Sequence, residues 1–383
     1  MFVGIRDVFY ARGRFALIGS VVGLITLLLV MLTGLTGGLA SQNTSALTSI
    51  NPDRFAFGAP AAGGSGNSGS SGDAGKDAKV DFSASQITES QADRWKHTDG
   101  VDSAVPVGFT QTQLSADSTA GVAVVGVPDE SGLVGHAAGK AIDGSADPGQ
   151  GDVVVSQSIA DDQGAGVGDE VSISGQKFTV SGVVPDEYYS HSPVAWVDTA
   201  AWQSIAHVPS TGDDAVVGTA MALNGDLDKN AWNDAAQTSG TVVSKVKDSF
   251  SGLPAYSSEH SSLLTMQAFL YGISALVTVS FLTVWTIQRT RDIAILRALG
   301  AGGRYLIKDA VGQAGIVLAV GAALGLGLGA GLGWLAQNGV PFQLSAGTTL
   351  LPAAGIWVLG MLGSLVAVRK VAKIDPLIAL GGN

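Results

Sequence analysis

The chain has 383 residues, 46% of them hydrophobic and 14% charged, with 53 glycines, no cysteine and a formal net charge of −11. It is too apolar for an ordinary soluble protein and not apolar enough for a bundle wholly in lipid, so the composition calls for a split architecture. The acidic balance argues against a nucleic-acid partner, and without cysteine a water-exposed domain must be held by its own core rather than by disulfides.

In chain order, residues 1–14 carry Arg6, Arg12 and Arg14 against Asp7, and their apolar positions fit a short amphipathic helix along the inner membrane surface. Phe9, Tyr10 and Phe15 suit the headgroup boundary. Residues 15–39 carry no charge and are expected to form a first span, since a bilayer core of roughly 30 Å needs about 20 apolar helical residues. Gly38-Leu39-Ala40 imitates a signal cleavage site, but the run exceeds a signal core of about 7–15 residues, so an uncleaved span is expected. Gly19, Gly23 and Thr26 are spaced for one closely packed face, and Met31 falls in the outer half of the span.

Residues 40–262 are expected to form a large α+β domain. Within it, residues 58–79 include GGSGNSGSSGDAGKD, a composition that builds no core and predicts a flexible loop. Strands are predicted over 121–127, 152–156, 170–173, 177–184, 195–198, 216–223 and 241–246, each β-branched and bounded by Gly, Pro or Asp. Helices are predicted over 86–95, 157–161, 200–207 and 228–237. A hairpin is expected at Gly175.

Three further spans follow: residues 263–288, 310–335 and 350–368, none containing Asp, Glu, His, Lys or Arg. Between the last two, residues 336–349 make an outer loop, and residues 369–383 a basic tail. Gly321, Gly325, Gly329 and Gly333 recur every four residues, a pattern that lets two helix backbones approach closely in lipid, with the fourth span as the candidate partner. Residues 1–14, 289–309 and 369–383 hold 11 basic and 4 acidic residues, leaving 10 basic and 28 acidic for the rest of the chain. Short basic loops stay in the cytoplasm, so both termini and the central connector are expected inside and the acidic domain outside.

That connector, RTRDIAILRALGAGGRYLIKD over residues 289–309, sets Ile293, Leu296 and Leu299 in an apolar stripe beside Arg291, Asp292 and Arg297. Gly300 suits a helix C-cap, and Gly302-Gly303 allow a turn before a second short helix. Such a segment offers a peripheral protein both an apolar ridge and positive charge; alternatively its Arg and Lys act only as orientation signals. The string R-x-R-D-I-x-I-L-R-A-L-G-A resembles the connector of FtsX/MacB-type permeases. The run GDVVVSQSIADDQGAGVGDEVSISGQKFTVSGVV resembles the extracytoplasmic core of the same family, and the tail RKVAKIDPLIAL its C-terminus.

The resemblance implies four transmembrane helices with a large α+β extracytoplasmic domain, a homodimer in the lipid of the cell membrane, and two copies of a cytoplasmic ABC ATPase docked on the connectors. The coupling contacts would fall to Arg291, Asp292, Ile293, Leu296, Arg297, Leu299 and Gly300. No intrinsic cofactor is implied, ATP acting through the partner subunit. An enzyme site is not legible: Gly135 to Lys140 is one residue short of a phosphate loop, with Ala141 where a magnesium-binding hydroxyl belongs. Nor do the spans carry the titratable groups of an ion-coupled transporter.

Among these permeases the chain is similar to the haem-exporting HrtB branch of Gram-positive bacteria, partly through the string Asp186 to Val194, DEYYSHSPV. Haem is therefore the candidate cargo. Met31 on the first span and Glu259, His260, Met266 and Tyr271 at the outer entrance of the second are its candidate ligands, since Met, His and Tyr all bind haem iron. Met31 and Met266 could equally fill packing gaps, with His260 and Tyr271 as interface anchors. Tyr188, Tyr189 and His191 form a second group outside, expected chiefly as strand-end packing. The alternative functions are an FtsX-like mechanotransmitter controlling a cell-wall hydrolase, or export of another hydrophobic compound or peptide.

Overall fold

A computed structural model describes residues 12–60, 78–129, 131–212, 215–288, 295, 302–337 and 339–371. Residues 1–11, most of the 58–79 loop, nearly all of 289–301 and residues 372–383 lie outside the described residues. The chain divides into a helical unit, Met1–Leu39 with His260–Asn383, and an α+β unit, Ala40–Glu259.

Among the described residues, four helices are long and apolar enough to cross a membrane: α1 (Arg12–Ile50), α8 (Pro254–Gln288), α9 (Gly303–Ala336) and α10 (Ala346–Val371). Helix α1 does not stop at Leu39. Its polar end keeps helical geometry while the hydroxyls of Thr36, Thr44 and Thr48 donate to carbonyls four residues back. It ends where Asn51 turns left-handed (φ 49°) just before Pro52, a residue that cannot continue the helix. Helix α8 starts at Pro254, with the ring in the first turn, where its missing N–H leaves no helical bond unmade. Glu259 and His260 are therefore helical, four and three residues ahead of the predicted span start. The second short helix expected in the connector does not exist separately, for Arg304 to Asp309 are the first turns of α9 behind Gly302.

The glycine ladder has a different partner from the one its spacing suggested. A Cβ on Gly321 would stand 3.1 Å from Val22 Cβ, one on Gly325 would press into Gly23 O and lie 2.7 Å from Thr26, and one on Gly329 would meet Val30 at 3.0 Å. The ladder thus faces the small residues of α1. Helix α10 packs on α9 one turn earlier, where Met361 lies against Gly315, Leu318 against Gly360, and Trp357 Nε1 donates to Gly315 O at 3.1 Å. Gly333 is covered instead by Phe342 of the outer loop, whose ring also fills the notch at Gly34.

The α+β unit is built on one mixed sheet. Its strands are β1 (Arg54–Phe57), β3 (Val101–Ser115), β4 (Thr119–Val127), β5 (Asp143–Gly144), β6 (Asp152–Ser156), β7 (Glu170–Ile173), β8 (Gln176–Val184), β9 (Tyr188–Tyr189), β10 (Ser192–Asp198), β12 (Ala220–Gly225) and β13 (Val242–Lys245). They run β13-β1-β12-β3-β4-β10-β6-β8-β5, with β7 against β3 and β8, and β9 against β10. Only the β4–β10 and β6–β8 pairs are parallel among the described residues. A separate pair joins β2 (Ile87–Thr88) and β11 (Val216–Gly218). The short helices are α2 (Glu89–Lys96), α3 (Leu133–Ala137), α4 (Gln157–Gln163), α5 (Thr199–Ala206), α6 (Lys229–Ser239) and α7 (Val246–Ser249).

The long strand β3 joins two lobes, pairing with β12 over residues 101–107 and with β4 over 108–115. At the changeover Gly108 stands opposite Gly126, and the indole of Trp202 on α5 occupies the space a Cβ on either would take. Thr219 interrupts the predicted strand over 216–223 there, donating its N–H to Val107 O and accepting from Phe109 N. On the β12 side, buried Trp95 and Trp232 close a small core under α2 and α6. The central core is aromatic: Phe82 meets Phe57 and Phe109 edge-on, and Tyr189 stacks on Phe109 at 4.9 Å. The Ser174-Gly175 turn, with both φ values positive, forms the expected β7–β8 hairpin.

Candidate functional site

The alternation of β9 decides what its two tyrosines do. Tyr189 points inward, and burial pushes its hydroxyl pKa up; it is core. Tyr188 faces the other way, and the turn that follows carries the site. Ser190 (φ 47°) and His191 (φ 66°) form a two-residue loop with both φ values positive, the geometry that matches strand twist in a hairpin. Asn-Gly would adopt it freely; Ser-His adopts it at a cost of about 1–3 kcal/mol per strained residue. The surroundings hold it there: Ser190 N donates to Asn43 O at 3.1 Å and His191 N to Gln42 O at 2.9 Å, both on α1. Ser45 Oγ adds a reciprocal pair, accepting from Tyr188 N at 2.7 Å and donating to Tyr188 O at 3.3 Å.

On this seam three side chains converge within the α+β unit. His191 Nε2 lies 2.9 Å and 3.0 Å from the two oxygens of Glu259, and Asn43 Nδ2 lies 3.1 Å from Glu259 Oε2. Asn43 Nδ2 is also 3.0 Å from His191 Nε2. A carboxylate only accepts, so the consistent assignment has both nitrogens donating to Glu259, and their mutual approach is two donors sharing one acceptor. His191 and Glu259 side chains remain 31% and 39% exposed, so the pair is open to solvent on one side. Beside it, burial raises the pKa of Glu187 above the usual carboxylate value, against the smaller lowering effect of the nearby Ser45 and Ser49 hydroxyls.

The other sequence candidates sit elsewhere. Met31 is half-buried on α1, Met266 on α8 is 55% exposed, and His260 is half-buried. Tyr271 packs its ring against Gly355 of α10 within the helical unit. Arg291, Asp292, Ile293, Leu296, Arg297, Leu299 and Gly300 lie outside the described residues. Sequence reading set His191 apart from Glu259 and passed over Asn43. The usable signal was a polar Asn in an uninterrupted helical run, four residues past the predicted span end.

The model of the MacB-like periplasmic core domain matches residues 15–239, more than half of the chain, and that of the FtsX-like permease C-terminal region matches residues 264–376. The chain is a MacB/FtsX-type permease. A permease named for hemin transport, HrtB of Staphylococcus haemolyticus, is 24% identical over 98% of each chain. An uncharacterized ABC transporter permease of Mycobacterium bovis is 26% identical over 100% of this chain and 99% of its own. The crystal structure of the periplasmic region of MacB from Actinobacillus actinomycetemcomitans covers 53% of this chain and 92% of that one, with 14% identity and a TM-score of 0.35. This permease is thus a membrane subunit of the ABC class, whose members generally draw energy from a partner ATPase.

Proposed function

We propose that the permease exports haem, as a homodimer whose connectors at residues 289–309 are gripped by two copies of a cytoplasmic ATPase, with both termini inside and the α+β unit outside. The carrying observation is the end-to-end likeness to a permease named for hemin transport. The residues support it: Glu259 and Met266 lie seven residues apart on α8, an anionic oxygen and an exposed thioether on one helix. Ferric iron accepts both kinds of donor, and the porphyrin ring wants the apolar surroundings that Phe269 and Ile273, exposed on the Met266 side of α8, provide.

Titrating the full chain in lipid nanodiscs with ferric haem should give a saturable, shifted Soret band. Glu259→Ala and Met266→Ala should each weaken it, by about tenfold or more. A wild-type chain that leaves the Soret band of free haem unchanged would remove the haem reading.

A further inference from the structure

The His191 loop spends backbone strain to bring a donor to one carboxylate. Left-handed φ at a non-glycine residue persists only where neighbours enforce it, and here two α1 carbonyls do so while the imidazole is delivered to Glu259. The cluster is also one-sided. Both donors approach Glu259 from the hairpin and from α1, whereas a carboxylate offers about four lone-pair sites, and more than a third of its surface is open to solvent. A carboxylate backed by fixed donors and open in front has the build of a metal-ion ligand, since ligating carboxylates are themselves oriented by outer hydrogen bonds.

We propose that His191 and Asn43 are positioning residues that orient the Glu259 carboxylate as the oxygen ligand of a ferric porphyrin. This rests on the haem reading above and adds the residues that act behind the ligand. His191 is not itself the ligand, because its Nε2 is turned onto the carboxylate. No bond is made or broken in the protein; the carboxylate lone pair enters the iron coordination sphere and the two N–H donors stay in place.

The test uses the full chain in nanodiscs, titrated in parallel with ferric haem and with iron-free protoporphyrin. His191→Ala should weaken ferric haem binding 10–100-fold, the usual range for an outer-shell partner, with a smaller loss for Asn43→Ala. Iron-free protoporphyrin should bind both variants as it binds wild type, since only the iron–carboxylate contact is affected. His191→Gln, which restores an N–H donor, should recover most of the loss, and His191→Ala should add little in a Glu259→Ala background.

Equal weakening of haem and iron-free porphyrin would mean that His191 only supports the fold, and would overturn the proposal. Loss in His191→Ala that His191→Gln fails to recover, with a changed Soret position, would make the imidazole the ligand and overturn it too. Haem binding to wild type with no effect of His191→Ala ends this inference and leaves the haem reading standing; absence of wild-type haem binding ends both.

Discussion

Glu187 lies beside the Ser45 and Ser49 hydroxyls of α1, but burial outweighs their lowering effect and raises its pKa. A raised carboxyl pKa means that the folded state prefers the proton. The stability this group contributes is therefore fully present below its ordinary value of 4.5 and is lost as pH climbs through the higher folded value. Glu187→Gln, neutral throughout, should raise the melting temperature of the full chain at pH 7–8, by a margin that shrinks to nothing near pH 4. A constant margin across that range would mean that charge is not the cause. The neighbouring clasp at His191 shows why single residues were the least legible scale. Sequence reading places Glu259 at the entrance of the second span and His191 at a strand end, but their meeting depends on a hairpin folded onto residues 42–45, a contact between segments about 150 positions apart.

At the scale of elements, legibility followed pattern strength. Strands β6 and β7 stand at their predicted limits because each is a short β-branched run between Gly, Asp or Ser punctuation. The longest strand, β3, went unread. Its VDSAVPVGFTQTQLS carries Pro106 and Gly108, which argue locally against a strand, and it is held by pairing with β12, β4 and β7 rather than by its own propensity. The ladder on α9 was plain as a repeat, but spacing does not say which helix it faces. Its contact with α1 gives a discriminating prediction. Gly325→Val should destabilise the chain by about 1–3 kcal/mol through overpacking against Gly23 and Thr26. Gly327→Val and Gly331→Val, where a Cβ meets nothing within 4 Å, should be near neutral. Thermal melts in one detergent would compare the three. Similar losses in all would show that glycine matters for the helix itself and not for its neighbour.

For the whole molecule, two of the four long helices, α1 and α8, run unbroken from the helical unit into the α+β unit. The proposed docking of an ATPase at residues 289–309 and a purely topological role for its basic residues part company over the leucines. Orientation depends on Arg and Lys, whereas docking depends on buried apolar surface, at about 1.5–3 kcal/mol for each fully buried leucine. Leu296→Asp with Leu299→Asp should therefore lower affinity for the ATPase by more than tenfold and remove cargo-stimulated ATP turnover, while cysteine labelling of the connector still reports the same side of the membrane. Arg289→Gln with Lys308→Gln should do less to binding and more to orientation. If the double-aspartate chain retains its partner and its stimulated turnover, the connector is not the handle, and the force that moves these helices must enter elsewhere.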